Sequence, residues 1–249
     1  MSVSRLAELI RSSQPCVVLT GAGVSTESGI PDFRSTTGLW ARFDPVEYGS
    51  IEAFRRDPRK VWSFYRSRVA MLVEAEPNPA HTALAELEEL GFVEAVVTQN
   101  IDLLHERAGS REVVEVHGSI RTASCPSCGA RYDLARVLEL LAEADAPACP
   151  SCGDILKPDV IFFGELMPEA TIARAYELAR RARLLLVVGS ALEVYPVAGL
   201  PLETFGTEGE VAIVNRGPTP FDQQASLKID ASAGEILPRV VDLLRPPRA

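Results

Sequence analysis

Four of the five cysteines stand in two CxxC pairs separated by 20 residues, Cys125/Cys128 and Cys149/Cys152. Each pair can offer two thiolates to one ion, and four sulfurs complete a closed tetrahedral zinc site. Two disulfides or a redox dithiol are the alternatives, but two matched pairs favour the metal. Because a Cys₄ site keeps no open coordination position, we expect one structural zinc and no catalytic one. Cys16, in an apolar run, is expected to be an inert buried thiol.

A second candidate site is the glycine-rich turn Gly21-Ala22-Gly23, which follows the apolar run Cys16–Thr20. Such a turn lets backbone N–H groups approach a phosphate, with a helix N-terminus behind them. The dinucleotide fingerprint G-x-G-x-x-G is not met, since Thr26 stands where the third glycine belongs. No acid ends a second strand about 20 residues on, as the NAD dehydrogenase pattern requires. The turn therefore indicates a nucleotide that is not a hydride carrier, or a plain tight turn.

Two further segments carry polar groups beside this turn. Asp32-Phe33-Arg34 lies on a proline-stiffened loop, where an aromatic ring between an acid and an arginine could cover a ribose–nicotinamide bond. A structural Asp32–Arg34 pair is the alternative. Gln99-Asn100-Ile101-Asp102 follows the apolar run Ala95–Thr98, so its amide and carboxylate groups are expected at the carboxyl end of a strand. A run of three polar residues with an acid indicates a site more than an ordinary cap.

The chain has only three histidines, so the candidates for a general base are few. His117 follows the run Val113–Val116 and precedes a glycine, at the sheet edge where ligands bind. His105 is expected on a short helix, as a packing residue or a functional one. His81 opens a helix and is expected to be a structural cap.

The elements that position these residues alternate along the chain. Short apolar runs are typical of parallel strands that are buried on both faces, and helical patterns lie between them at 81–90, 102–108 and 170–181. The strands are expected at Cys16–Thr20, Ala95–Thr98, Val113–Val116, Leu184–Val188, Val211–Val214 and Leu227–Ile229. The pattern predicts a doubly wound α/β sheet, with ligands at the carboxyl ends of its strands.

Two stretches interrupt the alternation and are expected to build a smaller lobe. One is 35–79, a helical insertion with a helix that starts at Asp57-Pro58, and the other is 120–158, which holds the zinc pairs. The larger lobe would then comprise 1–34, 80–119 and 159–249.

Charge and hydropathy exclude several classes of protein. The formal net charge of the 249 residues is −9, which argues against a non-specific nucleic-acid binder, and this acidity is compatible with basic partners such as lysine-bearing peptides. The first residues predict a short amphipathic helix with Leu6, Leu9 and Ile10, and not a signal peptide. Leu184–Val188 is too short to span a bilayer. We expect a cytoplasmic protein.

Together, these motifs resemble the sirtuin family in order and spacing, over nearly the whole chain. The matching segments are GAGVSTESGIPDFR (21–34), TQNIDLLHERAG (98–109), VHGS (116–119), the four cysteines, FFGE (162–165), GSALEVYP (189–196) and IVN (213–215). The resemblance implies a Rossmann-like large lobe, a small lobe with a zinc ribbon, and a cleft between them for NAD⁺ and an acyl-lysine. Ala191 departs from the pattern, because many relatives have a second serine there.

The resemblance also implies roles for individual residues. His117 would be the catalytic base, with Asn100 and Asp102 holding the nicotinamide and its ribose. The residues expected to bind NAD⁺ are Gly21, Ala22, Gly23, Thr26, Asp32, Phe33, Arg34, Gln99, Asn100, Ile101, Asp102, Gly189, Ser190, Asn215 and Ala233. Ile161, Phe163 and Val194 would line the lysine tunnel and pair with the substrate peptide as an added strand.

In the mechanism that the resemblance implies, the acyl oxygen attacks the ribose C1′ as nicotinamide leaves. His117 then draws a proton from a ribose hydroxyl, which attacks the imidate carbon. The products are free lysine, nicotinamide and O-acyl-ADP-ribose. NAD⁺ is thus consumed as a co-substrate, in agreement with the missing hydride-carrier fingerprint.

The helix expected at 58–74 gives an indication of the acyl group. Tyr65 and Arg68 share its apolar stripe, whereas Arg66 falls on the other side. A guanidinium and a phenol in a pocket suit a carboxylate, and the pair is similar to that of sirtuins that remove succinyl and malonyl groups. Gly49 would leave room for a longer acyl chain. We expect desuccinylation beside deacetylation; a structural ion pair or solvent exposure of Arg68 is the alternative.

Two other functions remain open at this point. The same site could serve ADP-ribosyl transfer or plain NAD⁺ hydrolysis, with another nucleophile at C1′. A zinc-ribbon module that binds nucleic acid or protein is a third possibility, but only Arg121 and Arg131 lie near the cysteine pairs, among several acids. Acyl-lysine proteins or peptides are the expected partners.

Overall fold

The computed structural model describes residues 2–33, 35–36 and 38–246. Within these ranges the strands are β1 Cys16–Thr20, β2 Ala95–Thr98, β3 Val113–Glu115, β4 Gly118–Ser124, β5 Arg131–Asp133, β6 Lys157–Val160, β7 Leu184–Val188, β8 Glu210–Val214 and β9 Leu227–Ile229. The α-helices are α1 Ser2–Ser12, α2 Pro45–Tyr48, α3 Ile51–Arg56, α4 Pro58–Glu74, α5 Pro79–Glu89, α6 Leu104–Arg107, α7 Leu134–Glu143, α8 Glu169–Arg181, α9 Leu200–Gly206 and α10 Ala233–Leu244. Short 3₁₀ helices form at Ala22–Ser28, Leu39–Ala41 and Val197–Gly199.

The six strands predicted from apolar runs form one parallel sheet, in the order β3-β2-β1-β7-β8-β9. The central strands β1 and β7 pair from Cys16↔Leu184 to Thr20↔Val188, and all of their residues are buried. Parallel strands need crossover connections that cover both faces of the sheet. The burial of both faces explains the continuous apolar runs, and the predicted doubly wound α/β fold is confirmed.

Helices cover the two faces of the sheet with separate cores. Side chains that alternate along a strand point to opposite faces. Val18 and Leu186 accordingly pack with α1, α5 and α10 on one face. Val17 and Leu185 pack with α8 and α9 on the other. Both faces of the sheet are therefore covered, and the polar groups lie in the loops at the carboxyl ends of its strands.

A third core lies outside this sheet and joins the two predicted insertions. Helix α4 starts as expected, with the Asp57 side chain accepting the amide of Lys60 and Pro58 at the first helical position. Its buried Trp62 donates Nε1–H to the carbonyl of Leu156, 2.7 Å away, next to the cysteine pairs. The antiparallel sheet β5-β4-β6 completes this core. The division of the chain into a large and a small lobe stays a prediction.

Some boundaries differ from the expected ones. Helix α5 starts at Pro79, two residues earlier than predicted, because the Asn78 side chain caps it by accepting the amide of Ala80. Helix α6 is only the turn Leu104–Arg107, and its first amide is held by the carboxylate of Asp102. A 3₁₀ helix follows the glycine turn, so no full α-helix stands behind it. In the described part of the chain, no helix is both long and apolar enough to cross a bilayer.

Candidate functional site

The candidate residues converge on one edge of the large sheet. Strands β2, β1, β7 and β8 are neighbours in the sheet, and their carboxyl ends lie side by side. The loops that follow them carry the glycine turn, the 99–102 segment, Gly189-Ser190 and Asn215. The edge therefore gathers the polar groups of four separate chain segments, as expected for a ligand site in an open α/β sheet.

The glycine turn and Gly189 approach each other so closely that side chains are excluded. The amide of Gly23 donates to the carbonyl of Gly189 at 2.8 Å. A Cβ on Gly23 would lie 2.8 Å from that carbonyl oxygen, and a Cβ on Gly21 would lie 2.9 Å from the Cβ of Ser190. Gly189 also has a φ of 59°, which favours glycine. These glycines form a side-chain-free cradle, which is what the close approach of a phosphate requires.

Gln99 links two of the loops. Its side-chain amide donates to Ser190 Oγ at 2.9 Å, and the same hydroxyl oxygen accepts the amide of Leu192 at 3.3 Å. Ser190 is buried and Gln99 is half-buried. Both predicted NAD⁺ contacts thus belong to one hydrogen-bonded unit across the strands β2 and β7.

Ser25 is the centre of a buried cluster that sequence reasoning missed. Its hydroxyl donates to Asp102 Oδ2 at 2.7 Å and accepts the side-chain amide of Asn100 at 3.0 Å. His81 Nε2 lies 3.4 Å from the same oxygen, while His81 Nδ1 accepts the backbone amide of Asn78. Because Nδ1 is an acceptor, the neutral His81 ring carries its hydrogen on Nε2 and donates to Ser25. Only the position of Ser25 within the glycine motif hinted at this role.

Two buried histidines stand behind the cluster. The rings of His81 and His105 lie 4.9 Å apart. Burial lowers the pKa of His81 to about 4 and that of His105 to about 3. Both rings are therefore neutral near pH 7. His81 caps α5 as predicted, but it also reaches the site.

His117, the predicted base, lies at the same edge. Its Nδ1 is 3.1 Å from the backbone carbonyl of Gln99, so that Nδ1 carries the hydrogen and donates it. In the neutral ring the lone pair is then on Nε2. A backbone acceptor that fixes the tautomer in this way orients the ring for proton transfer.

The remaining predicted NAD⁺-binding residues are spread around this edge. Asp32 Oδ1 accepts the amide of Ser35, and the ring of Phe33 packs at 5.2 Å on Trp40. The Ile101 carbonyl accepts the amide of Ile120. Arg34 lies outside the described residues. The Thr26 hydroxyl donates to the Gly23 carbonyl at 2.9 Å, and the side-chain amide of Asn215 donates to the Arg216 carbonyl at 2.9 Å. Ala22 is the first residue of a 3₁₀ helix, and Ala233 is the first residue of α10.

An aromatic cluster extends from Phe33 toward the third core. Trp40 stacks on Phe64 at 5.9 Å and lies 6.3 Å from the ring of Phe163. A Cβ on Gly49 would lie 3.4 Å from the Trp40 ring and 3.6 Å from the Phe163 ring. Gly49 therefore lies against both rings, and its role in making room for a longer acyl chain stays a prediction.

Arg68 also lies against this cluster. Its guanidinium stacks on Phe64 at 3.3 Å and lies 4.8 Å from the ring of Phe43, and Nη1 donates to the Phe64 carbonyl at 2.6 Å. Within the described ranges no acid forms an ion pair with Arg68, and its buried Nε has no hydrogen-bond partner. Burial lowers the pKa of Arg68 to about 10, and the nearby Tyr65 phenol opposes this effect. Burial also raises the pKa of Tyr65.

Three residues were predicted to contact the acyl-lysine peptide. Ile161 is half-buried, and its amide donates to the His117 carbonyl at 2.9 Å. The Phe163 amide donates to the Gly49 carbonyl at 2.8 Å, so its N–H is engaged within the chain, and the residue is 42% exposed. Val194 is half-buried, and the next residue, Tyr195, is largely exposed.

The four paired cysteines converge on one point. Their Sγ atoms all lie within 4.8 Å of one another, with 3.4 Å between Cys125 and Cys152 and 3.6 Å between Cys128 and Cys149. Four thiolates at 2.3 Å from a tetrahedral zinc would be about 3.8 Å apart. The Tyr132 hydroxyl, 3.4 Å from Cys149 Sγ, lowers the pKa of that thiol to about 6. The donor set therefore fits the predicted closed zinc site, and the alternative of two disulfides is not met, because all four thiols are free.

The sequence is similar to a known protein family and to curated proteins of archaea. The model of the Sir2 family matches residues 21–196. A protein from Pyrococcus furiosus named NAD-dependent protein deacylase is 43% identical over 98% of both chains. NAD-dependent protein deacylase 2 from Archaeoglobus fulgidus is 46% identical and covers 96% of this chain and 95% of its own.

Solved structures agree with the sequence relatives. A structure described as Sir2 with a p53 peptide and NAD⁺ superimposes with a TM-score of 0.90, at 41% identity and 98% coverage of both chains. A Sir2 protein bound to a propionylated peptide gives a TM-score of 0.89, at 40% identity and again 98% coverage of both chains. The likeness extends over the whole fold, including the cysteine-bearing part.

Proposed function

The chain belongs to the Sir2 family, and from that membership we propose that it is an NAD⁺-dependent protein lysine deacylase. The observation that carries the proposal is the hydrogen bond by which the Gln99 carbonyl orients His117. This bond lies at the same sheet edge as the glycine cradle and the Ser25 cluster. A base, a phosphate cradle and a buried carboxylate are the three elements that the reaction needs.

The nucleotide end of the site would be held by backbone and amide groups. The pyrophosphate would lie against Gly21, Gly23 and Gly189, because these residues have no side chain that could hold it away from the backbone. Gln99 and Ser190 would bond the ribose beside it, and Asn215 the adenosine end. Ala22, Thr26, Asp32, Phe33, Arg34, Ile101 and Ala233 would complete the contacts with NAD⁺.

The nicotinamide end would be held by Asn100 and Asp102. Both are buried, and both bond to the Ser25 hydroxyl, which fixes their side chains before a ligand arrives. Preorganised groups of this kind stabilise developing charge without reorganisation. They would hold the carboxamide and ribose while nicotinamide leaves.

The Nε2 atom of His117 would accept a proton from a ribose hydroxyl of NAD⁺. The Gln99 carbonyl stabilises the Nδ1–H that the resulting imidazolium keeps, so the ring needs no tautomer change. With one water molecule consumed to release the lysine amine from the acyl carbon, the products would be free lysine, nicotinamide and O-acyl-ADP-ribose. The acyl-lysine would enter along Ile161, Phe163 and Val194, and pairing of the peptide strand would use neighbours of Phe163, whose own amide is bonded to Gly49.

The cysteine cluster would hold one zinc ion, which supplies no chemistry to this reaction. Cys125 and Cys149 are buried in the third core beside Ile155. The metal would cross-link the two CxxC turns and keep that core closed. Its role is therefore structural.

For the acyl group, we propose that succinyl and malonyl are removed as well as acetyl. The supporting observation is Arg68, a partly buried cation whose Nε has no partner and whose guanidinium has no acid beside it in the described part of the chain. Leaving such a donor buried costs about 1–3 kcal/mol, which an acyl carboxylate would recover. The ion-pair alternative for Arg68 finds no support here. The aromatic cluster and Gly49 lie between it and Phe163.

The first experiment tests the reaction itself. Purified protein is mixed with NAD⁺ and an acetyl-lysine or succinyl-lysine peptide of one sequence, and nicotinamide and O-acyl-ADP-ribose are followed by mass spectrometry. We expect peptide-dependent formation of both products, and a loss of about 100-fold or more in His117→Ala. Equal nicotinamide release without peptide would show NAD⁺ hydrolysis, and an ADP-ribosylated peptide would show transfer; either result overturns the deacylase proposal.

The second experiment tests the carboxylate pocket. Arg68→Met keeps an unbranched apolar stem and removes the guanidinium group, and Tyr65→Phe removes only a hydroxyl. Both should lower the desuccinylation rate by about 10-fold or more while deacetylation stays within a few-fold. Arg66→Met is the matched control, since Arg66 is on the outer face of α4 and pairs with Asp145. An equal fall of both activities in Arg68→Met would reject the pocket.

A further inference from the structure

A single peptide group connects the proposed base to the buried side of the sheet. The carbonyl of Gln99 accepts Nδ1–H of His117 at 3.1 Å. The N–H on the other end of that same peptide group belongs to Asn100 and donates to Thr98 Oγ1, also at 3.1 Å. Because a peptide group is planar, whatever fixes its N–H also fixes the direction of its carbonyl. The orientation of His117 therefore depends on the Thr98 hydroxyl.

The hydrogen bonds continue from Thr98 to His105. The Thr20 hydroxyl donates to Thr98 Oγ1 at 2.8 Å, and His105 Nε2 lies 2.9 Å from Thr20 Oγ1. The three side chains are at most 3% exposed. They form an unbroken line from His105 through two strands to the peptide group that holds His117.

The donor and the acceptor in each of these hydrogen bonds can be assigned. The single hydroxyl hydrogen of Thr20 goes to Thr98, so Thr20 must accept from Nε2–H of His105. Burial keeps His105 neutral, and its Nδ1 has no partner among the described residues. The opposite tautomer would leave an N–H donor buried without an acceptor, which is rarer than an under-used acceptor. The geometry thus favours a donating Nε2.

We propose that His105 is a positioning residue for His117, acting through Thr20, Thr98 and the Gln99–Asn100 peptide group. Its Nε2–H holds the Thr20 hydroxyl, which in turn holds Thr98, and Thr98 fixes the orientation of the peptide group that binds His117. The role of His117 as the base rests on the proposed function, but the line of hydrogen bonds does not. Loss of the Nε2–H would free the Thr20 hydroxyl to turn, loosen the peptide group and tilt the base.

Three variants separate this role from packing. His105→Leu keeps an apolar side chain of similar size but removes the donor, whereas His105→Gln places an amide N–H near the position of Nε2. Thr98→Val removes only the accepting hydroxyl. With NAD⁺ and an acetyl-lysine peptide, we expect His105→Leu and Thr98→Val to lower kcat by about 10- to 100-fold with KM for NAD⁺ within about two-fold. His105→Gln should restore most of kcat.

The double variant tests whether the two residues act along one line. His105→Leu combined with Thr98→Val should lose no more kcat than the worse single variant, because the line is already broken. Multiplied losses would overturn the proposal. So would equal losses in His105→Leu and His105→Gln, since that result would mean that the ring only fills space.

A spectroscopic test does not depend on activity. The chain has three histidines, so ¹⁵N spectra of the imidazoles in the wild-type protein can be assigned with one variant for each. We expect His105 as the Nε2–H tautomer and His117 as the Nδ1–H tautomer, with the His117 signal broadened or shifted in His105→Leu and recovered in His105→Gln. An Nδ1–H tautomer at His105, or an unmoved His117 signal, would overturn the inference. A wild-type protein that shows the tautomers but no turnover would instead contradict the proposed function.

Discussion

The amide of Gly23 lies 2.8 Å from the carbonyl oxygen of Gly189, and this contact brings the loops after two central strands into backbone–backbone contact. A Cβ on Gly189 would lie 2.2 Å from the amide nitrogen of Val24, and the φ of 59° adds strain to any other residue. We expect Gly189→Ala to lower the free energy of unfolding by at least about 2 kcal/mol. Its KM for NAD⁺ should rise about 10-fold or more, as measured by initial rates.

Gly206 offers the matched control for that change. It is exposed at the end of α9, and a Cβ there would meet nothing within 4 Å. Gly206→Ala should keep the KM for NAD⁺ and change the free energy of unfolding by no more than about 1 kcal/mol. Comparable losses in both variants would mean that the Gly23–Gly189 contact has no special importance.

Zinc removal should act on stability and not on chemistry. Cys149→Ser leaves three thiolates, and we expect it to lose most of the one zinc per chain, measured by atomic emission. Because Cys149 lies in the third core, the free energy of unfolding should fall by at least about 3 kcal/mol, or about 10 °C in Tm. A chelator should reproduce this fall in the wild-type protein.

The fifth cysteine provides the comparison for zinc. Cys16 lies in β1, and burial raises the pKa of its thiol to about 12, so that it does not ionise near pH 7. Cys16→Ala should keep one zinc per chain and remain sensitive to the chelator. A full zinc content in Cys149→Ser would contradict the proposed four-thiolate site.

The strands and the metal site could be predicted because their signals are local in the sequence. A strand such as Leu184–Val188, buried on both faces of a parallel sheet, must be apolar throughout, so its sequence alone indicates it. Likewise, two thiolates three residues apart already form half of a zinc site. The sheet order then brought Gln99 and Ser190 together at the predicted edge.

The Ser25 cluster could not be predicted in the same way. Its members come from three segments, and in the sequence Ser25 looks like an ordinary turn residue. His81 was correctly predicted to cap a helix, and nothing in the sequence indicated that its Nε2 also contacts Ser25. The contacts of His105 with Thr20 depend on strand register and helix position, which no sequence spacing reveals.

The size of the acyl pocket should depend on Gly49. A side chain there would point between Trp40 and Phe163, with its Cβ 3.4 Å and 3.6 Å from their rings. The φ of Gly49 is −123°, which other residues adopt, but a Cβ would also lie 3.1 Å from the Pro45 carbonyl oxygen, so this turn must shift slightly in either variant. We expect Gly49→Val to lower desuccinylation by about 10-fold while deacetylation falls less than three-fold, because only the longer chain needs that space. Gly49→Ala should give an intermediate effect, and identical losses for the two peptides would contradict the position of the pocket.

The two buried histidines should make stability depend on pH. Burial lowers the pKa of His81 to about 4 and that of His105 to about 3, whereas a histidine of the unfolded chain titrates near 6.5. The unfolded chain therefore binds more protons below pH 6.5, and stability must fall as the pH decreases from there toward the folded-state pKa values. At pH 5 each ring should cost about 2 kcal/mol relative to pH 7. The free energy of unfolding, measured by urea denaturation at both pH values, should thus fall by about 4 kcal/mol.

The variant His105→Gln separates this effect from that of the zinc thiolates. Protonation of the thiolates also weakens zinc binding at low pH, but it does so equally in both proteins. The variant lacks one of the two buried rings, so it should lose about 2 kcal/mol less than the wild-type protein between pH 7 and pH 5. The stability gap between the two proteins should accordingly narrow by about that amount. A gap that is the same at both pH values would show that His105 is protonated in the folded state as readily as in the unfolded one, and that its buried position beside Thr20 does not hold it neutral.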